Sequence, residues 1–426
     1  MKRTRKVKKA VTILLCTLLV ATGIFFPENR VNAGSAVDEQ IQGKVYKITP
    51  NSRPVKGSAI NQFTTINKNT LNYYTIRSYM EKFEKDKKGT LVLKKGTYNI
   101  TNTIFVPSNV TIILEDGVVI NKSMNTGTGK FPAATSMFQL IRPSKAAKTR
   151  VYGGHNGEKN IHFVGKGSAC IDLKYVKTSI GIIMGHNQNV TIEGISFKNM
   201  NDGHFIEMDA SKNVKVSNCN FANAKKGSDY VKEAINIDTP DKETKGFSLP
   251  WSKFDKTPNE NVTISSSTFT NMGRAIGTHK YSAKGSQQQY HTNIVIKNNR
   301  ITNMKKDAPI RMMNWKNAVV SENQIIKVKE TNKSDTRGIL ASGCINPNIS
   351  NNYFEQVGRA IQFIAWKNTG DGSGYPVTKN KLSSANKKSL ATNRGKKLGL
   401  KEYYVRICPK YNYFLNPETV VIIKEE

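Results

Sequence analysis

A phrase of the form Asn-Val-Thr-Ile, closed by an apolar residue eight positions on, recurs along the middle of the chain and restricts the folds open to it. It reads Asn189-Val-Thr-Ile-Glu-Gly-Ile-Ser-Phe197, Asn213-Val-Lys-Val-Ser-Asn-Cys-Asn-Phe221, Asn261-Val-Thr-Ile-Ser-Ser-Ser-Thr-Phe269, Asn293-Ile-Val-Ile-Lys-Asn-Asn-Arg-Ile301 and Asn317-Ala-Val-Val-Ser-Glu-Asn-Gln-Ile325. A weaker copy is Asn346-Pro-Asn-Ile-Ser-Asn-Asn-Tyr-Phe354. The steps between first residues are 24, 48, 32, 24 and 29. Repetition at about 20 to 50 residues means a solenoid or a propeller. Apolar residues two apart make each copy a short strand with one buried face, and Asn and Gly tolerate the left-handed backbone of the turns between strands. No helical spacing separates consecutive copies, which argues against helical repeats, and propeller blades are more uniform and usually about 40 residues or more. The expectation is an all-β, right-handed parallel β-helix in which each repeat is one coil. The 48-residue step then holds either a long loop near Asp238 to Lys256 or one degenerate extra coil.

The chain opens with Lys2, Arg3, Arg5, Lys6, Lys8 and Lys9, an apolar run from Ala10 to Phe26, and Val31-Asn32-Ala33 before Gly34. This is a secretory signal pattern with a small-residue cleavage site; the competing reading is an uncleaved membrane anchor, because the run nears the lower limit for a span. Residues 1–33 therefore read as a leader. A secreted protein is expected, released or retained at the cell surface, with membrane contact only through an uncleaved leader. Residues 34–88 read as an N-terminal region whose helical spacing over Asn69 to Lys87 supplies a short cap for the open end of the solenoid. Residues 89–367 read as the β-helix. Residues 368–426 read as a tail, loop-like to Lys397, with terminal strands at Tyr403 to Cys408 and Thr419 to Lys424.

Sixty-five Lys and Arg stand against 31 Asp and Glu. The leader holds seven basic residues and one acidic, so the remainder keeps 58 against 30, a net charge of +28. Such an excess attracts anionic partners at long range. In a secreted protein these are cell-wall polymers or acidic polysaccharides; nucleic acid is disfavoured because the basic residues are scattered and not interleaved with an aromatic binding motif. Lysines also serve solubility alone. Cys170, Cys219, Cys344 and Cys408 are far apart and lack metal spacing. Cys219 holds the repeat position of Ile195, which marks a buried filler.

A second strand in each coil carries what varies. These strands read Gly181-Ile-Ile-Met-Gly185, Phe205-Ile-Glu-Met-Asp209, Ala234-Ile-Asn-Ile-Asp238, Ala275-Ile-Gly-Thr-His279, Pro309-Ile-Arg-Met-Met313, Gly338-Ile-Leu-Ala-Ser342 and Ala360-Ile-Gln-Phe-Ile364. With the shared Ile inward, the positions one and three beyond it point outward. Successive coils then present Glu207 and Asp209, Asn236 and Asp238, His279 with Lys280 beside it, and Arg311. Their neighbours present mainly Ile183, Gly185, Leu340, Ser342 and Ile364. Coils about 4.8 Å apart would gather carboxylates, an imidazole and a guanidinium into one patch. Crowded carboxylates push each other's proton affinities apart, giving the acid and base that glycosidic cleavage needs. The plainer reading is a solvated polar strand face. Trp315, at a coil end, suits either sugar stacking or corner packing.

In these strands the chain resembles pectin-lyase-like β-helix proteins, and the order of motifs is similar to polygalacturonase-type glycoside hydrolases, which carry Asn-x-Asp, Asp-Asp, His and Arg-x-Lys on successive coils. Glu207-Met-Asp209, Asn236-Ile-Asp238, Thr278-His279-Lys280 and Ile310-Arg311-Met312 stand at those places. The resemblance implies Asp209 and Asp238 as acid/base carboxylates, assisted by Glu207 and His279, with Asn236, Lys280, Arg311 and Trp315 on the substrate, and no cofactor. Asn236 replaces one Asp and Met313 the family's Lys, which points away from pectin. Calcium-dependent polysaccharide lyases of the same superfamily offer an alternative, in which Glu207, Asp209 and Asp238 would hold Ca2+ and Arg311 would act as base. A third possibility is a non-catalytic glycan-binding surface protein.

Overall fold

The computed structural model describes residues 40–225, 232–278, 281–328, 336–364, 380–399, 405–407 and 424–425. Among these, three parallel sheets of eleven, ten and eleven strands wind round one apolar interior. Each coil feeds one strand to each sheet: Gln188–Glu193, Ser196–Met200 and Ile206–Asp209 complete one turn, and Lys212–Ser217 begins the next, paired in parallel on Gln188–Glu193.

The repeated Asn makes the corner. Asn189, Asn213, Asn261, Asn293, Asn317 and Asn346 have φ between 50° and 55°, the left-handed region that Asn enters more readily than most side chains. Their amides also climb the outside as a ladder. Asn213 donates to Asn189 Oδ1 at 3.0 Å, Asn261 to Asn213 at 3.1 Å and Asn293 to Asn261 at 2.9 Å. Asn213→Ala removes two rungs and keeps the strained φ, and is expected to cost about 1–3 kcal/mol. Asn213→Gly keeps the turn and should cost less; urea denaturation of the two variants separates rung from backbone.

Inward, Phe197, Phe221 and Phe269 stack at centroid spacings of 5.0 and 4.8 Å with rings 9° and 10° apart. Cys219 packs in the core, 3% exposed, and Cys170, Cys219 and Cys344 are buried free thiols. The Leu71–Asp86 helix covers the N-terminal end with Tyr73, Tyr74, Ile76, Met80 and Phe83. The stack begins upstream of residue 89, since Val45–Ile48 pairs in parallel with Gly89–Leu93. At the far end, part of the stretch read as loop is ordered. A Ser384–Ser389 helix, capped by Ser383, and an Arg394–Lys396 strand paired with Tyr353–Glu355 continue the solenoid. Buried Leu390 and Leu398 anchor them, too few apolar positions to show a period among lysines and serines.

The long repeat step is an insertion and not an extra coil, because Lys212–Ser217 pairs directly with Glu260–Ser265. Residues 1–33, which read as a leader, and His279, Lys280, Trp366 and Cys408 lie outside the described residues. No helix among the described residues is long and apolar enough to cross a membrane.

Candidate functional site

The ten-stranded sheet holds the variable strands in the expected register. Ile182, Ile206, Ile235, Ile276, Ile310, Ile339 and Ile361 align and point inward, each 0% exposed. One position on, Ile183, Glu207, Asn236, Gly277, Arg311, Leu340 and Gln362 form a single outer row. Asp209 and Asp238 are direct neighbours in the second outer row, beside Gly185.

That face is covered, contrary to an exposed patch. Glu207 is 6% exposed, and Asp209 and Asp238 are 0%. Residues 239–258 fold back over the sheet, packing Phe247 and Trp251 on Ile141, Tyr152 and Ile183. The Trp251 indole N–H donates to Gln139 Oε1 at 3.1 Å. His186 Nδ1 donates to the Gly154 carbonyl at 2.7 Å, so its Nε2 accepts from the Ser252 hydroxyl at 2.8 Å. The backbone adds Arg150 N to Pro250 O at 2.8 Å and Val151 N to Trp251 O at 2.7 Å. The cover is therefore a fixed wall. Gly185 exists for it: a Cβ there would stand 2.8 Å from the Trp251 ring. Gly185→Ala is expected to lift the wall at a cost of about 1–3 kcal/mol, read as a red-shifted tryptophan emission and a lowered denaturation midpoint.

Beside the wall opens a cleft of about 390 Å3. Ile180, Ile183, Glu207 and Asn236 come from its strands, Thr178, Asp202 and His204 from the turns before them, and Lys245 to Leu249 from the insertion. Of the residues picked from sequence, Glu207 and Asn236 line it, while Asp209 and Asp238 sit behind. Arg311 is half-buried, two strands beyond Asn236 across the bare Gly277, and its buried Nε has no hydrogen-bond partner. Trp315 presents no face to a ligand. It is 0% exposed, starts a strand of a different sheet beside His291, and donates from its indole to Thr278 Oγ1 at 2.8 Å. The cleft residues missed from sequence, His204, Asp202, Lys232 and Lys245, lie outside the aligned strand core, so no register argument reaches them.

Asn236 joins two carboxyl groups. Its Nδ2 donates to Glu207 Oε1 at 2.8 Å and Asp238 Oδ2 at 3.2 Å, which holds those oxygens no more than about 6 Å apart, the sum of the two bonds. Burial, and then the nearby Asp238 charge, pushes Glu207 up to about 8. Burial, followed by Glu207 and Asp238, holds Asp209 well above the ordinary carboxylate range. Asp209 shares a side-chain hydrogen bond with Glu207 that raises its own proton affinity further and lowers that of Glu207. Burial brings His204 down to about 4. Its Nδ1 donates to the Glu233 carbonyl at 2.6 Å, and Nε2 stands 3.5 Å from Glu207 Oε2. A neutral carboxylic acid on the floor of a cleft is a proton donor at neutral pH. Among the described residues, no group of three or more His, Cys, Asp or Glu side chains is placed to hold a metal ion.

Known proteins share this architecture. A family model described as right handed beta helix region matches residues 256–400. Plasmin and fibronectin-binding protein A of Streptococcus pneumoniae is 28% identical over 257 residues, 56% of this chain. The match spans about a third of that relative's length, 34%. A crystal structure of a surface adhesin of Streptococcus pneumoniae superimposes with a TM-score of 0.60 at 19% identity, over 85% of this chain and 83% of the other. The Yersinia enterocolitica family 28 exopolygalacturonase gives 0.51 at 11% identity, over 86% and 66%. With its three stacked parallel sheets and these likenesses, the chain has the right-handed parallel β-helix fold.

Proposed function

We propose that this protein binds an acidic or cell-envelope polysaccharide in the cleft and hydrolyses a glycosidic bond, with Glu207 as the proton donor. The observation that carries this reading is the state of Glu207, a carboxyl pushed up to about 8 on the floor of a cleft that apolar, hydroxyl and charged side chains line together. A carboxylic acid still protonated at neutral pH can protonate a leaving sugar oxygen. A carboxyl perturbed by burial and by a named charge partner in a cleft is a functional-site candidate. Asp238, tied to Glu207 through Asn236, and the cleft-lining Asp202 are the carboxylates available as partners. Arg311, whose buried Nε has no hydrogen-bond partner, would take an acid group on the stretch of polymer that runs past Gly277, outside the cleft itself. Likeness to a surface adhesin and to a polysaccharide hydrolase supports work at or outside the cell surface.

A second reading is a non-catalytic glycan-binding surface protein. It is favoured by the complete burial of Asp209 and Asp238 and by the relative named for binding plasmin and fibronectin. The lyase alternative would need Arg311 as base, and Arg311 lies across Gly277 from the cleft. Purified protein incubated with cell-wall and extracellular polysaccharides separates the three. New reducing ends that vanish in Glu207→Gln support hydrolysis. An ultraviolet-absorbing product that stops with chelator indicates a lyase, and binding without any product overturns the enzyme reading.

A further inference from the structure

We infer that Lys232 and Lys245 are the specificity-determining residues of the cleft, two ammonium groups that hold the acid group, a carboxylate or a sulfate ester, of the glycan unit lying over Glu207. This role rests on the glycan reading of the cleft and deepens it, because it names the side chains that select an acidic sugar over a neutral one.

Both lysines line the cleft, and they reach it from separate segments. Lys232 immediately precedes the Glu233–Asp238 strand and is half-buried, whereas Lys245 is exposed on the insertion. Among the described residues, neither ammonium is in an ion pair. The carboxylates near them in sequence are engaged elsewhere. Glu233 is 0% exposed and stands 3.7 Å from Arg274 Nη1 of the next coil. Glu243 takes Lys256 at 2.9 Å. Asp241 accepts from the Glu243 and Thr244 amides at 2.9 and 3.4 Å and from the Ser282 hydroxyl at 2.7 Å. Those bonds fix the turn that presents Lys245, and Gly246 N closes it by donating to Asp241 O at 3.1 Å. The cleft is therefore cationic: with Glu207 protonated and His204 neutral, two ammonium groups face the single carboxylate of Asp202.

The position of Lys232 also makes sense only with an anion beside it. Its charge works against the proton on Glu207, so by itself it weakens the donor. An acid group on the ligand cancels that charge, and ligand binding and protonation of Glu207 then favour each other. The other charged groups around Glu207 are Asp209 on its own strand, Asp238 and Glu233 on the next, Asp202 in the turn that carries His204, and Lys245. Arg311 cannot serve the same sugar unit. It lies three strands beyond Glu207, about 14 Å at ordinary strand spacing. An ammonium is a compact point charge without the planar fork of a guanidinium, so the pair takes a carboxylate or a sulfate ester alike.

The test is calorimetric titration of the full chain, at one fixed salt concentration, with polygalacturonate, alginate, hyaluronan and chondroitin sulfate, each beside its carboxyl-reduced or desulfated form. The paired forms tell a carboxylate from a sulfate ester. The neutralised form of a glycan that binds is expected to bind roughly ten- to a hundredfold more weakly, the worth of a charge-assisted contact. Lys232→Gln and Lys245→Asn should each reproduce most of that loss on the acidic form and leave binding of the neutralised form unchanged; Asn suits the φ of 56° at position 245. Lys232→Arg keeps the charge and should keep the affinity. Lys215→Gln, an exposed lysine on the Lys212–Ser217 strand of another sheet, reports the effect of general positive charge and should bind as the native protein does. Losses in Lys232→Gln and Lys245→Asn no larger than in Lys215→Gln overturn the inference, and so does equal binding of acidic and neutralised forms. Charge-selective binding through both lysines without cleavage leaves the inference standing and removes the hydrolase reading. Cleavage indifferent to both lysines does the reverse, and failure of every glycan to bind removes both.

Discussion

Glu207→Gln is expected to lower the rate of glycan cleavage by about 10²–10⁴-fold, the usual worth of a positioned general acid, while glycan binding stays close to that of the native protein. The two side chains have nearly the same shape. A glutamine oxygen can still accept from the Asn236 amide that now meets Oε1 at 2.8 Å, so the wall, the cleft and the neighbouring strands have no reason to move. What disappears is the transferable proton. The native rate should also fall as pH rises through about 8, where Glu207 ionises, because only the protonated form can serve the leaving group. Initial rates of reducing-end formation from pH 5 to 10 give both results in one experiment. A Glu207→Gln protein that cleaves at the native rate would transfer the donor role to another group or remove the hydrolase reading.

Why the sequence pointed to Glu207 but placed its surroundings wrongly has a physical answer. The fixed points of the register are local. An Asn at φ near 55° turns each corner, and an inward Ile recurs in each variable strand, so a two-residue period carries the phase from Ile182 to Ile361. Glu207, Asn236, Asp209, Asp238 and Arg311 follow from that phase alone. The cover over them does not. It depends on contacts such as Trp251 with Gln139 and Ser252 with His186, which join residues 112 and 66 positions apart, and no period links those positions. Trp315 shows the same limit at short range. Asn314, at φ 55°, ends the strand carrying Arg311 one residue before Trp315 and sends the ring into the core instead of the groove. His204 has ordinary surroundings in sequence. Only the fold brings its ring to Glu207.

The second large effect is on stability, and its sign follows from the direction of each shift. Glu207 has its proton affinity raised in the fold, from the ordinary 4.5 to about 8. The native state therefore keeps a proton that the unfolded chain releases, and the stability linked to it is lost as pH climbs through that interval. At about 1.4 kcal/mol per unit, the loss between pH 6.5 and 8 is about 2 kcal/mol. Below pH 6.5 the buried imidazoles act in the opposite direction. His204, down to about 4, and His291, down to about 3, must stay neutral in the fold, so their linked stability is lost as pH falls. Urea denaturation midpoints should accordingly decline from pH 6.5 to 8, and Glu207→Gln should flatten that decline and exceed the native protein at pH 8. Asp209→Asn acts with the same sign, because its carboxyl is also held protonated by burial and by its neighbours, and an amide carries no proton to lose. The two changes together should gain less than the sum of their separate gains, since neutralising one carboxyl removes part of the repulsion that raised the other. If both variants lose stability equally at pH 6.5 and pH 8, these carboxyls are ionised in the native protein, and the donor state assigned to Glu207 falls with that result.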